Sequence, residues 1–600
     1  MKTLTITIFV LIVAIISSHA QQPSFEWAKK QSGACIGPTK VDKAGNVYTT
    51  GRINFYENNI WSPSKVRVDY DPGPDTCYLD NSSGHFNYIT KYDASGNFVW
   101  AKTLPGFIST NNPYVSSKMS FVLDKHENIY ITGPFRGTTD FDPGEKQFIV
   151  KPGSRTSEYF DIFVMKLDSK GNFTWAKRIG GLMNDIVNDI VLDGTNKIYI
   201  SGKIMGGDDI NAGSDSVKLK FADGDSFIMK FDSDGNYKWS KQWKANCNCF
   251  PSLAVDGLGN LYSSGSFSDT LHFNSETDSI SLSSSKGNVY IVKLDSIGKL
   301  VWINQFGTDP SVKEGVYSSI SIGAVSIKIS NNIYIHGAFT GKSDFDPSIG
   351  EYNLTSLYRD TFTLKLDKNG NFIWVKQIPM KALPTTLSIT LDAWENIYSV
   401  GVFSDTLDFD PSSAVYNLIA KGHGDMYISK IDSSGNFVWV KQIGGSSAPI
   451  IDTRGFHNDF FDFYDAGVSI SVTESGDIYT VGSYLDSADV DPGIGEYQLV
   501  GSGYFLLKLS QTPNDVRESV ETSSLSVYPN PATNSITLSF GKQITHGRVK
   551  LFNVLGQTVL SSEDIDGSSY TINMSDQPKG MYFIELSDNV SIQRAKFVKE

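Results

Sequence analysis

The sequence predicts an all-β protein: a seven-bladed β-propeller closed by its N- and C-terminal strands, followed by a small β-sandwich domain. Three observations predict it. A tryptophan phrase recurs seven times, at Phe25–Lys29, Phe98–Lys102, Phe173–Lys177, Tyr237–Lys241, Leu300–Asn304, Phe372–Lys376 and Phe437–Lys441. A second phrase, an aliphatic residue then a tyrosine after a polar turn, also recurs seven times, ending at Tyr48, Tyr130, Tyr199, Tyr262, Tyr334, Tyr398 and Tyr479. The ends of the array are complementary: one tryptophan strand lacks a strand before it, and one strand near residue 509 lacks a tryptophan strand after it.

The elements follow in chain order. Residues 1–20 read as a secretory signal peptide. Lys2 supplies the positive start, residues 4–16 are mostly apolar, and small residues precede a cleavage point between Ala20 and Gln21. No later run is long and apolar enough to span a bilayer as a helix. Residues 21–511 carry the repeats. Each repeat reads as four strands, A to D. Strand A runs into strand B through Asp-x-x-Gly-Asn, a hairpin signal because Gly and Asn accept positive φ. Strand C, such as residues 163–168, joins strand D and its tryptophan through a second turn of the same type.

The orphan D strand at Phe25–Lys29 and the orphan C strand at Tyr504–Leu509 complete one blade from both ends of the propeller. An open solenoid would instead need two polar caps. In strand D the tryptophan alternates with its neighbours, so it reads as packing between blades rather than as a ligand platform. Residues 512–524 are polar and acidic and read as a linker. Residues 525–600 alternate between short strands and Pro or Gly turns, as a small β-sandwich does.

Charge and composition bound the function. The net charge is −13, which argues against nucleic-acid binding. Cys35 and Cys77 are the candidate disulfide pair, stapling the long loop from Asn54 to Phe86 that also carries Trp61. Cys247 and Cys249 are too close for an easy bridge, and no C-x-x-C pair or histidine cluster points to zinc.

The B–C and D–A connections vary in length while the A–B and C–D turns do not. Variation therefore gathers on one face, where recognition is expected. That face carries Asp-x-Asp-Pro in five repeats, at Asp69/Asp71, Asp140/Asp142, Asp344/Asp346, Asp408/Asp410 and Asp489/Asp491. Alternate carboxylates can ligate calcium, and Asp140, Asp142, Asp344 and Asp346 are weak calcium candidates. The competing reading has greater weight: Asp caps the turn and Pro ends the strand. An insertion from Ser446 to Gly467, with aromatics from Phe456 to Tyr464, has the composition of a recognition loop. No catalytic motif stands out, and His336 reads as a core histidine on a B strand. No cofactor is called for beyond the calcium alternative.

Two resemblances add to this. The run Asp124–Gly144 with Asp161–Lys177 resembles the β-propeller repeats of secreted Bacteroidetes proteins, the SBBP type. That resemblance covers residues 25–509 and implies fold rather than activity. The C-terminal segment is similar to the type A C-terminal sorting domain of the type IX secretion system. The matching residues are Tyr528-Pro529-Asn530-Pro531, the run from Val549 to Gly556, Gly580 with Tyr582, and the final residues 596–599. The resemblance implies a type IX translocon and a sortase-like protease as partners. It implies passage through the periplasm to the medium or the outer surface. Six Asp-Ser/Thr-aliphatic triplets, Asp269-Thr270-Leu271 among them, are weakly similar to O-glycosylation sites of this phylum. The expected function is that of an extracellular binding or scaffold protein with a glycan or protein ligand. The alternatives are a polysaccharide-acting propeller enzyme and a purely structural surface protein.

Overall fold

One carboxylate builds most of the described tight turns, and Thr473 Oγ1 takes its place in one, accepting the Asp477 N–H at 2.9 Å. Asp42 Oδ1 accepts the backbone N–H groups of Ala44 and Asn46, and its Oδ2 accepts the Asn46 side-chain amide. The same three bonds recur at Asp124, Asp256 and Asp392 between first and second strands. They recur at Asp93, Asp168, Asp232, Asp367 and Asp432 between third and fourth strands. The residue before the Asn takes φ near the left-handed region, as Gly45 does at 82° and Glu127 at 63°.

The computed structural model describes residues 22–511 and 525–600, except 32–33, 54–55, 58–59, 62–68, 74, 80–85, 107–118, 154–158, 206–209, 212–217, 220–223, 246–250, 275–278, 309–318, 328–331, 381–384, 423, 446–465, 494, 554–557 and 588–591. The chain divides into two compact units, Met1–Thr512 and Pro513–Glu600. Every helix-or-strand element among the described residues is a strand.

In the first unit the sheets take a propeller-like arrangement. Three separate sheets hold four antiparallel strands in chain order. One comprises Ala34–Val41, Val47–Ile53, Phe86–Tyr92 and Phe98–Leu104. Another comprises Ser120–Leu123, Ile129–Phe135, Asp161–Leu167 and Phe173–Ile179. The third comprises Thr385–Leu391, Ile397–Phe403, Asp425–Ile431 and Phe437–Ile443. A fourth four-stranded sheet joins chain-distant segments. Ser24–Gln31 pairs with Gly503–Ser510, which pairs with Ile478–Tyr484 and then Ala466–Val472.

The strands carrying Trp239, Trp302 and Trp374 belong to one twelve-stranded sheet, and five two-stranded sheets complete the described strands of this unit. The twelve strands are continuous because Trp243 pairs with Phe273 and Gly307 with Asp344, past the ends of the tight hairpins. The first strands of successive repeats pack on one another, and Ala466–Val472 packs back on Ala34–Val41. Side chains link some of them. Ser388 Oγ accepts the Ile470 N–H at 3.4 Å, Ser469 Oγ the Thr39 N–H at 3.0 Å, and Asp189 Oδ2 the Leu253 N–H at 3.0 Å.

A tyrosine, a lysine and a tryptophan stand in one cross-strand row in each repeat. In the second repeat Tyr130 faces Lys166, and Lys166 faces Trp175. The Lys166 ammonium lies 4.8 Å from the Tyr130 ring centroid, and Trp175 meets the same ring edge-on at 6.3 Å. Tyr48, Tyr199, Tyr262, Tyr334, Tyr398 and Tyr479 have equivalent partners.

The next repeat closes the other side of the indole. A Cβ on Gly235 would lie 2.9 Å from the Trp175 ring, and one on Gly96 2.9 Å from Trp27. Trp27 Nε1 donates to the Ala94 carbonyl of that following turn at 3.2 Å. Trp175 also packs on a core drawn from two successive repeats, including Ile162, Val187 and Ile190. The tryptophans thus join successive repeats.

The second unit holds one five-stranded sheet in the order Ser526–Tyr528, Ser535–Asn553, Gly580–Ser587, Ile592–Lys599, with Thr558–Asn573 on Ser535–Asn553. Its own core includes Ile536, Leu538, Leu551, Ile584 and Phe597.

Candidate functional sites

The Asp-x-Asp-Pro carboxylates hold backbone. Asp140 Oδ1 accepts the N–H groups of Asp142 at 3.1 Å and Phe148 at 2.9 Å, and Asp142 Oδ1 accepts that of Gly144 at 2.8 Å. Asp344 and Asp346 repeat the pattern with Asp346, Tyr352 and Ser348. So do Asp69/Asp71, Asp408/Asp410 and Asp489/Asp491. Each closes a small hairpin, and in four of the five an aromatic pins it to the tryptophan strand. Phe148 packs on Phe173, Tyr352 on Phe372, Tyr416 on Phe437 and Tyr497 on Phe25, at 4.9, 5.0, 4.9 and 5.1 Å. Among the described residues no group of three or more His, Cys, Asp or Glu gathers for a metal.

Cys77 is a free thiol, packed with Tyr70, Tyr88, Ala101, Leu79 and Phe98. Burial, with Asp69 and Asp71 nearby, pushes that thiol up from its ordinary range. Cys35 lies on Ala34–Val41, but its side chain is outside the described residues. Also outside them are Ala20, Gln21, Cys247, Cys249, the linker from Thr512 to Ser524 and residues 446–465 of the recognition-loop candidate.

In the C-terminal unit sorting-motif residues from two segments contact the final strand, Ile592–Lys599. Asn530 Oδ1 accepts the Val598 N–H at 3.0 Å, and the peptides before Pro529 and Pro531 are cis. Tyr528 is exposed. Tyr582, two residues after Gly580, stacks on Phe597 at 5.6 Å, and its hydroxyl donates to the Pro578 carbonyl at 2.7 Å.

Two buried titratable sites have different sequence signals. His336 is buried against Thr363, 3.1 Å from Nδ1 to Oγ1, and burial lowers its pKa to about 4. It is a satisfied core residue, as the sequence indicates. Asp161 and Asp185 form a buried acid pair that the sequence did not single out. The Arg178 guanidinium donates to Asp161 at 2.7 Å, and Gly181 and Met205 N–H groups donate to Asp185. Burial raises both carboxyls, Asp185 to about 7 with Asp161 adding to the rise. Its signal was Arg178, at a position where later repeats carry Gln242, Gln305, Gln377 and Gln442.

Lys40 and Asp189 stand on first strands of two repeats. Burial lowers the Lys40 pKa and raises that of Asp189, each opposed by the charge of the other. The Lys40 side chain is nevertheless exposed.

A groove of about 580 Å³ lies among the tight turns of the Trp239 and Trp302 repeats. Lys197, Lys230, Trp239, Leu258, Gly259 and Ile297 line it. Leu258 and Ile297, at the tips of two turns, are 77% and 75% exposed. Lys230 Nζ donates to the Ser296 carbonyl at 2.7 Å. Burial lowers the Lys230 pKa, and the Lys197 charge lowers it further against the pull of Asp193 and Asp295. The lining also includes Lys238, paired with Asp232 at 2.8 Å, and Asp193, which accepts from Thr195 and Tyr199. Sequence reading directed attention to the variable connections, whereas this groove is built from the turns of constant length.

A family model described as a secretion system C-terminal sorting domain matches residues 526–600. The match supports a type IX secretion sorting tail and export to the cell surface or beyond. Among curated proteins, an uncharacterized WD repeat-containing protein of Acanthamoeba polyphaga mimivirus is 24% identical over 412 residues, covering 56% of this chain and 29% of that protein. An ulvan lyase of Nonlabens ulvanivorans is 26% identical over 197 residues, covering 30% of this chain and 33% of that protein. The chain spans a third or less of the length of these relatives. Among solved structures, a polysaccharide lyase described as a family PL25 ulvan lyase is 10% identical, with a TM-score of 0.38, over 82% of this chain and 96% of that one.

Proposed function

We propose that the chain is an exported β-propeller that binds a glycan or a protein outside the cell. In this reading residues 21–511 are a seven-bladed propeller of SBBP-type repeats, released from the signal peptide after Ala20. Residues 512–524 are a linker, and residues 525–600 are a β-sandwich read by the type IX translocon and removed by a sortase-like protease. The observation that carries the reading is the sorting-domain match over residues 526–600. The packed tryptophan rows support a rigid scaffold, which suits presentation of variable connections. Calcium at Asp140/Asp142 or Asp344/Asp346 is the alternative to their turn-capping role and is not needed by this reading, and a Cys35–Cys77 bridge would require oxidation of the thiol that is free in this structure.

The test is fractionation of a host that has the secretion system. Full-length protein is expected at the surface or in the medium, and protein ending at Ser524 in the periplasm. Equal export of both would overturn the reading.

A second reading, action on a polysaccharide, is favoured by the relative named as an ulvan lyase. Incubation of the full chain with ulvan tests it. A rise in the ultraviolet absorbance of unsaturated uronate ends would make the protein a lyase, and unchanged absorbance with retention on immobilised ulvan would make it a binder.

A further inference from the structure

The internal repeats provide a control for the groove at Trp239. In two other places the same junction between repeats contains a carboxylate. Glu127 lies 3.1 Å from the Lys91 ammonium and 3.4 Å from the Tyr48 hydroxyl of the preceding repeat. Glu395 lies 3.5 Å from Lys365 and 2.8 Å from the Tyr334 hydroxyl. Both glutamates occupy the third position after the turn aspartate, with φ of 63° and 64°. At the junction of the Trp239 and Trp302 repeats that position is Gly259, with φ 80°. The preceding repeat still supplies the lysine and the tyrosine, Lys230 and Tyr199. Tyr199 donates only to Asp193 and, at 3.4 Å, to the Gly259 carbonyl.

Glycine also holds this position at Gly45 and Gly476, and an asparagine at Asn196, so the glutamate belongs to two of the junctions; what sets the Gly259 junction apart is its surroundings. Lys197 takes the place that Asn46, Asn128, Asn260 and Asn396 hold in other turns, which adds a second ammonium beside Lys230. Ile297 stands where the other turns carry Ser95, Lys170, Asp234, Asn369 and Ser434. The space is open: a Cβ on Gly259 would meet nothing closer than Ser296 Cβ at 3.5 Å and Asp193 Oδ2 at 3.7 Å. The lining carries Lys197, Lys230 and Lys238 against one carboxylate, Asp193, so it favours an anion locally although Lys238 is paired with Asp232. The cavity falls within the ~300–1,000 Å³ range of small-molecule sites.

We propose that this groove binds a carboxylate ligand with an apolar body. The ligand's carboxylate takes the place that Glu127 and Glu395 hold at their junctions, between Lys230, Lys197 and the Tyr199 hydroxyl. Its apolar body lies against Leu258 and Ile297. The site is formed by the tight turns, so it goes beyond recognition by the variable connections and survives the failure of that reading. The ligand is a free organic acid, or a uronate unit of a glycan that lays the C–H face of its ring on the two side chains, and the carboxylate is common to both.

The test is calorimetry on the full chain with three probes: sodium phenylacetate, di-galacturonate and sodium sulfate. At least one carboxylate is expected to bind, with sulfate failing to compete. Preference for phenylacetate identifies a free acid, and preference for di-galacturonate a glycan end. Gly259→Glu fills the site from within, in a backbone conformation that Glu127 and Glu395 already adopt. It is expected to weaken binding ~10-fold or more without lowering the melting temperature. Lys197→Gln and Leu258→Ser, both at the rim, are expected to weaken it in a folded protein and serve if Gly259→Glu does not fold. The proposal fails if neither carboxylate binds, if sulfate binds as well as they do, or if binding survives the folded variants unchanged.

Discussion

Lys430 donates its ammonium to the side-chain carbonyl of Gln511 at 3.0 Å. In other repeats the equivalent lysine reaches a backbone carbonyl of the following turn, as Lys230 does at Ser296 and Lys365 at Ser433. The sheet that follows Lys430 has no such turn, because its last two strands come from distant parts of the chain. Gln511 supplies the missing acceptor, and its amide donates to the Gly476 carbonyl at 3.0 Å. Gln511→Ala leaves a buried ammonium without this acceptor and removes the bond to Gly476. The expected loss is ~1–3 kcal/mol, read by chemical denaturation of the full chain. An unchanged midpoint would show that the junction does not depend on Gln511.

Trp175 and Gly235 make a second prediction. Gly235 has φ 77°, and its missing Cβ is what admits the Trp175 ring. Gly235→Ala combines left-handed strain with a collision, while Trp175→Ala empties the same contact from the other side. Trp175→Ala is expected to cost ~3–5 kcal/mol. Because both substitutions disrupt one contact, the double variant should be less destabilised than the sum of the singles. Strict additivity in a double-mutant cycle would show that the two residues act independently.

The hairpin aspartates predict an outcome with metal removed. Asp140 Oδ1 is engaged by two backbone N–H groups and Asp142 Oδ1 by one. Asp140→Ala should therefore loosen the hairpin and cost ~0.5–2 kcal/mol, as the loss of a capping side chain does. Chelation of calcium from the wild-type protein should leave the melting temperature unchanged. A melting temperature that falls on chelation and recovers with added calcium would restore the metal reading of Asp140 and Asp142.

What was legible in the sequence depended on repetition. The pairing of the Trp27 strand with the strand ending at Leu509 could be anticipated because each lacked the neighbour that every other copy has. The hairpin role of Asp140 followed from its position before proline at a strand end. Gln511 was not legible, since its role is to replace a turn that the sequence simply does not contain there. The Gly259 groove was hidden for another reason. Its signal is the combination of Lys197, Leu258, Gly259 and Ile297 from three separate turns, and the Lys91–Glu127 and Lys365–Glu395 pairs show what a carboxylate does at that junction only once the turns are folded together. Asp161 and Asp185 lie in different segments, and only the folded backbone brings them together around Arg178.

That acid pair makes the final prediction, a dependence of stability on pH. Burial raises the Asp185 carboxyl to about 7 from an ordinary 3.8, with the Asp161 charge adding to the rise and the Gly181 and Met205 N–H groups and Arg178 opposing it. Between those values the folded protein holds a proton that the unfolded chain has released. Stability from this group is present below the unfolded pKa, falls as pH rises toward about 7, and is level above it. Asp161 is also raised, by burial against its bonds to Gly153 and Arg178, so its contribution has the same sign. Asp185→Asn cannot release that proton. It also loses one acceptor for the two N–H donors, so its absolute stability is a poor readout, whereas its pH slope is a clean one. Denaturation midpoints measured from pH 5 to pH 8 should fall less steeply in Asp185→Asn than in wild type. Parallel slopes would mean that Asp185 is already ionised in the folded protein throughout this range, held there by Arg178.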